Sequence, residues 1–265
     1  MNNVSYRSVT ALPVVDTGYK LAYGQEDLQF GRLFLPAGTS VTTPAPLVVF
    51  IHGGCWLNAY DLQHSNAFSQ ALSQEGFAVW SVEYRRSGDS GGGWPGSFED
   101  VSKALNFSSS LAAYGVDTSR ISLVGHSAGG HLALLAAAIQ TEQKSRTLDN
   151  SINAVIGLAA ITDIAAYAEG SNSCQQATLQ FMGGNALQHP QAYLQANPVK
   201  QQLHTSTLLL HGSADSIVEP AQAMATGQPY HIVNGAGHFD WIHPHTEAYK
   251  VFLTTLKQLI VSETP

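Results

Sequence analysis

Few charges, few cysteines and no long apolar run are the first features of this 265-residue chain. Charged residues make up 12% of it, against about a quarter in typical globular domains. Its formal net charge is −7, and Arg85-Arg86 is the only pair of adjacent basic residues. A basic face able to engage phosphates is therefore missing, which argues against nucleic-acid binding. No apolar stretch approaches bilayer-spanning length, and Met1–Tyr23 lacks a basic segment followed by an apolar one. These two absences lead to the expectation of a soluble, cytoplasmic protein with no membrane partner. Cys55 and Cys174 are the only cysteines. Two thiols so far apart suggest neither a disulfide framework nor a metal-ligand pattern, so no metal or cofactor is expected. Repeats, low-complexity tracts and a Pro/Ser/Gly linker are absent too, leaving one domain over residues 1–265 as the expectation.

What is present is alternation of elements. Leu47–Ile51, Ala78–Tyr84, Ile121–Gly125, Ala154–Ala160, Thr207–Leu210 and Tyr230–Val233 are short apolar runs. Most do not alternate with polar residues, which fits strands covered on both faces. Helical patterns fall between them at Leu62–Gln74 behind Asp61 as N-cap, Ser97–Tyr114, Gly130–Gln140 and Thr246–Val261. Ser97-Phe98-Glu99-Asp100 reads as a near capping box. Strand–helix alternation predicts an α/β fold with a mainly parallel twisted sheet and helices on both faces. Tyr19–Tyr23 and Leu28–Leu35 read as antiparallel edge strands. Ile161–Ser206 breaks the alternation with short helical pieces and could form a small cap.

Gly125-His126-Ser127-Ala128-Gly129 is G-x-S-x-G between a strand and a helix, the setting of a nucleophile elbow. A Gly-rich packing corner explains five residues equally well, so the rest of the chemistry decides. His52-Gly53-Gly54-Cys55-Trp56 follows an earlier strand, and its glycines let backbone N–H groups approach a substrate oxygen. A serine nucleophile needs an imidazole to take its proton and a carboxylate to orient that imidazole. Asp215 and His238 each follow a later strand, in the chain order this arrangement requires. Asp163 is a rival acid, and His211 and His243 are rival bases among 11 histidines. His126 and His131 flank the elbow, with His131 expected to be a hydrogen-bonded structural residue. Arg85 and Arg86 are expected to pair with Glu83 or Asp100 rather than with substrate. Trp56, Tyr60 and Trp94 are candidate pocket residues, although packing against the sheet would explain each equally well.

With these residues in view, nearly the whole chain resembles the α/β-hydrolase fold. Within it, the HGGxW stretch (His52–Trp56), GHSAGGHLA (Gly125–Ala133) and EYRR…GGGWPG (Glu83–Arg86, Gly91–Gly96) are similar to the branch of kynurenine formamidases and small esterases or lipases. His211–Val218 and Gly237–Pro244 look like that branch's acid and base loops. The resemblance implies Ser127 as nucleophile, Asp215 as orienting acid and His238 as base. It also implies an oxyanion hole from the backbone N–H groups of Gly54, Cys55 and Ala128. The neighbouring hormone-sensitive-lipase-like branch has HGGG and GDSAGG, where this chain has Cys55 and His126. The connection from Val218 to Tyr230 is short for the family, which puts its helix in question. The implied activity is cleavage of a small carboxylic ester through an acyl-enzyme. The alternatives are an arylformamidase acting on N-formylkynurenine with the same triad, and a hydrolase-like binding protein without activity.

Overall fold

The computed structural model describes residues 3–15, 17–142 and 152–261. In chain order its elements are α1 (Tyr6–Thr10), β1 (Tyr19–Ala22), β2 (Phe30–Phe34), β3 (Ala45–Ile51), α2 (Asn66–Gln74), β4 (Ala78–Val82), α3 (Gly96–Phe107), β5 (Val116–His126) and α4 (Ala128–Glu142). There follow β6 (Ile152–Leu158), α5 (Ile164–Tyr167), α6 (Ser173–Met182), α7 (Pro190–Gln195), β7 (Thr207–Gly212), α8 (Ala221–Met224), β8 (Tyr230–Val233) and α9 (Glu247–Val261). One eight-stranded sheet runs β1-β2-β4-β3-β5-β6-β7-β8. Strands β1 and β2 are antiparallel to their neighbours, and the other pairs are parallel. This is the α/β-hydrolase fold.

Residues along each central strand feed opposite faces in turn. Leu47, Val49 and Ile51 join the core under α3 and α4, whereas Val48 and Phe50 join the core under α2 and α9. Both faces are dry, so the strands carry no polar alternation. The parallel strands end on one edge. The chain leaves β3, β5, β7 and β8 there, so the residues just after those strands meet.

Several elements differ from the sequence reading. Strand β5 begins at Val116, five residues early, because Val116 and Asp117 pair with Ala45 and Pro46 through the backbone. Of the two strands expected at the edge, only β1 is there, since β2 lies between β1 and β4. The near capping box at Ser97 does not form. Helix α3 starts at Gly96, and the Ser97 hydroxyl bonds the Gly93 N–H and the Arg85 carbonyl instead. Asp100 is turned to Arg85, whose Nε and Nη2 each donate at 2.8 Å. The short connection before β8 keeps only the single turn α8.

Candidate active site

Ser127 sits at φ +56° between β5 and α4. Left-handed backbone is uncommon for a residue with a Cβ and marks local strain. The turn is pinned at both sides. The Ser127 N–H donates to the Leu158 carbonyl at 2.9 Å, and its carbonyl accepts the His131 N–H at 3.1 Å. A Cβ on Gly129 would come within 2.2 Å of the Ile51 carbonyl oxygen, so only glycine lets α4 close on β3 here.

The loop after β3 is left-handed three times in succession, at Gly54 (φ +113°), Cys55 (+53°) and Trp56 (+58°). Two of these carry side chains, and both side chains are fastened. Trp56 is fully buried, stacks on Phe181 at 4.7 Å and donates Nε1–H to His131 Nδ1 at 3.3 Å. Cys55 is bonded to Cys174 of α6 by a disulfide. That bridge corrects the expectation that two cysteines so far apart in sequence form no disulfide. The excursion over residues 161–206 folds back above the loop and brings residues 119 positions apart in sequence together. From below, His52 reaches the Gly53 carbonyl with Nδ1 at 2.7 Å and Glu83 with Nε2 at 3.0 Å. Burial pushes the Glu83 carboxyl up, but His52, Arg86 and the Leu62 N–H outweigh it and hold the carboxyl below its ordinary value. Arg85 and Arg86 are thereby engaged by Asp100 and Glu83.

Across the sheet edge, the acid and base loops are zipped together. Ser213 N–H donates to Val233 and Ala214 N–H to Ala236. The Asp215 carboxylate is buried. Its Oδ1 accepts the Ile217 and Val218 N–H groups at 2.9 Å each, and its Oδ2 accepts His238 Nδ1–H at 2.8 Å. Burial raises the Asp215 pKa, but His238, the Val218 N–H and His211 together bring it below the ordinary carboxylate range. An ionised carboxylate only accepts, so His238 Nδ1 carries the proton and Nε2 is left as an acceptor. His126 donates Nε2–H to the His238 carbonyl at 2.9 Å, tying the base loop to the elbow. Burial keeps that imidazole well below its ordinary pKa and hence neutral.

The rivals are occupied elsewhere. Asp163 caps α5 through the Ala166 N–H and accepts Asn197 Nδ2 at 2.9 Å. His211 gives Nε2–H to the Val218 carbonyl at 2.8 Å. His243 accepts the His245 N–H with Nδ1 at 3.3 Å and does not line the cavity that holds Ser127. His131, expected as a structural residue, gives Nε2–H to the Ala196 carbonyl at 2.6 Å.

Above the elbow lies a cavity of about 210 Å³. Ser127, His238, Gly54 and Cys55 form its floor, with Tyr6, Tyr60, His64 and Phe239 on the walls. His126 from the elbow, and Asn172, Ser173, Cys174 and Ile217 from the excursion and the acid loop, complete it. Of the three aromatic residues expected here, Tyr60 lines the cavity. Trp56 and Trp94 do not: Trp56 is consumed in holding its loop, and Trp94 packs on Phe98 at 5.4 Å and faces Phe181 at 6.4 Å. Tyr6 carried no signal, because no pattern marks a distant segment that returns to the site; His64 and Phe239 lie close in sequence to Tyr60 and His238, and that adjacency was their signal. The disulfide had one. One cysteine stood in the donor loop and the other in the stretch expected to cover it.

Two buried imidazoles near the site set an acid limit on stability. Burial lowers His64 to about 3 and His131 to about 4. His131 Nδ1 already accepts the Trp56 indole, which a proton there would repel. Both folded-state values lie below the unfolded value of about 6.5. Stability is therefore complete above that pH and is lost as pH falls, because the unfolded chain binds protons that the folded one refuses. The loss from His131 alone is about 3 kcal/mol by pH 4. Urea unfolding should show a plateau above about pH 6.5 and a decline below it. His131→Gln, which keeps one donor and one acceptor, should shallow that decline. Unchanged stability down to pH 4.5 would refute the assignment.

The family model described as BD-FAE matches residues 32–228, which is most of the chain. Esterase LipC of Mycobacterium tuberculosis is 26% identical over 241 residues, covering 80% of this chain and 59% of that protein. The probable isoprenylcysteine alpha-carbonyl methylesterase ICMEL1 of Arabidopsis thaliana is 32% identical over 145 residues, or 52% of this chain and 29% of its own. The chain thus spans less than two thirds of these curated relatives. Among solved structures, esterase B from Lactobacillus Rhamnosis superposes with a TM-score of 0.78 at 20% identity, covering 97% of this chain and 91% of that one. The chain belongs to the BD-FAE family and has the α/β-hydrolase fold.

Proposed function

We propose that the protein is a serine hydrolase of small carboxylic esters, with Ser127 as nucleophile, His238 as base and Asp215 as orienting acid. The observation that carries this is the Asp215–His238 bond of 2.8 Å on the same cavity as the strained Ser127. Backbone N–H groups of Gly54, Cys55 and Ala128 serve as the oxyanion hole. Ser127 Oγ attacks the ester carbonyl as His238 Nε2 takes its proton, and the carbonyl electron pair moves to oxygen facing those N–H groups. Collapse breaks the C–O bond, and His238 returns the proton to the leaving alcohol. Water then attacks the acyl-enzyme, losing a proton to His238; collapse breaks the bond between Ser127 Oγ and the acyl carbon, His238 returns that proton to Oγ, and the acid leaves. Every step uses protein groups, so the reading requires no cofactor.

LipC, ICMEL1 and esterase B are esterases by name, which favours an ester over the formamide alternative. A side-by-side assay of short p-nitrophenyl esters and N-formylkynurenine tests this. Turnover of the esters with little on the formamide is the expected result. Strong preference for the formamide, or no turnover of either, would overturn the ester reading. We also read the chain as one domain, supported by the single sheet with a core on each face. No helix among the described residues is long and apolar enough to cross a membrane. The Cys55–Cys174 bridge supports placement in an oxidising compartment rather than the cytoplasm expected from the lack of a signal-like segment and of a long apolar run.

A further inference from the structure

Residues 3–10 lie outside the stretch that the family model matches, yet they reach the candidate site. The buried Asp240 carboxylate holds them there. Its Oδ1 accepts the Val4 N–H at 2.6 Å, and its Oδ2 accepts the Asn3 N–H at 2.6 Å. The same Oδ2 accepts the Gly237 N–H at 3.0 Å, one residue before His238. One buried charge thus satisfies donors from the N-terminal segment and from the base loop together. Charge-assisted bonds of this kind are stronger than neutral ones. Val4 and Val9 anchor the segment in the core under α2 and α9. The half-buried Tyr6 between them turns to the cavity and meets three rings of its wall. Its centroid is 5.6 Å from Tyr60, 5.8 Å from His64 and 5.5 Å from Phe239.

We propose that this N-terminal segment is part of the active site. Tyr6 is a specificity residue that closes one flank of the cavity against large ester groups, and Asp240 is the positioning residue that clamps it to the base loop. At about 210 Å³ the cavity is smaller than the roughly 300–1,000 Å³ of sites for drug-sized ligands. It suits a short acyl or alcohol group, and removing the Tyr6 ring opens its wall. The size limit rests on the ester reading above; the clamp does not.

Two measurements decide it. The first is kcat/KM over p-nitrophenyl esters from acetate to octanoate. Tyr6→Ala should raise the octanoate-to-acetate ratio by about tenfold, the scale set by size discrimination in apolar pockets. Tyr6→Trp should lower that ratio. A ratio unchanged in both variants, whether the absolute rates hold or fall together, would overturn the specificity role. The second is amide hydrogen exchange in Asp240→Asn. Exchange should rise together at residues 3–10 and at 237–239, and a rise at only one of the two segments, or at neither, would overturn the clamp. If the wild type turns over none of the esters, the ester reading and the size limit built on it fail, and the exchange measurement still decides the clamp.

Discussion

Ser127→Ala is expected to lower kcat on short esters by about 10⁶, leaving only what binding and the oxyanion hole supply. The Cβ is retained at φ +56°, so the substitution adds no backbone strain. The backbone bonds to Leu158 and His131 that hold the elbow are left in place by the substitution. Folding and KM should therefore change little while kcat collapses. That split separates a nucleophile from a packing corner, whose loss would disturb stability first. An alanine variant with most of its activity intact would exclude Ser127 as nucleophile.

Asp215→Ala is expected to cost about 10⁴ in kcat, the scale found when a triad acid is lost. Without the carboxylate, nothing fixes the proton on His238 Nδ1, and Nε2 is no longer held as an acceptor toward Ser127. Asp163→Ala provides the contrast. Its carboxylate caps α5 and holds Asn197, so its loss should cost about 1 kcal/mol of stability and less than tenfold in kcat. Steady-state kinetics and thermal melts on both variants make the comparison. A larger kinetic loss at Asp163 than at Asp215 would reverse the assignment of the acid.

The sheet was legible because its central strands are dry on both faces. Runs such as Leu47–Ile51 and Thr207–Leu210 have no polar interruptions to hide their ends. The early start of β5 was hidden because residues 117–120 (Asp-Thr-Ser-Arg) are polar: Asp117 pairs with Pro46 through the backbone, and Thr118, Ser119 and Arg120 bulge out of the ladder before Ile121 resumes it. Ser97 misled for a related reason. A hydroxyl before an acid looks like a cap, but here a tertiary carbonyl at Arg85 takes that hydroxyl. At the site, the Ser127, Asp215 and His238 loops could be located because each follows its own strand. The aromatic lining could not. Trp56 is large and adjacent to the donor loop, yet the loop's three left-handed residues need an anchor, and Trp56 is that anchor. Tyr6 comes from a segment whose position depends on one carboxylate more than 230 residues away in the chain. Proximity of that kind is created by the fold and has no periodicity to read.

Covalent trapping tests the central claim most directly. A small reactive phosphonate ester should transfer its phosphonyl group to the nucleophile and stop there, because the tetrahedral adduct resembles the intermediate the site is built to hold. Peptide mass spectrometry after this treatment is expected to find one adduct, on Ser127, formed in step with loss of ester hydrolysis and absent from Ser127→Ala. An adduct on another residue, or full loss of activity with Ser127 unmodified, would contradict the account.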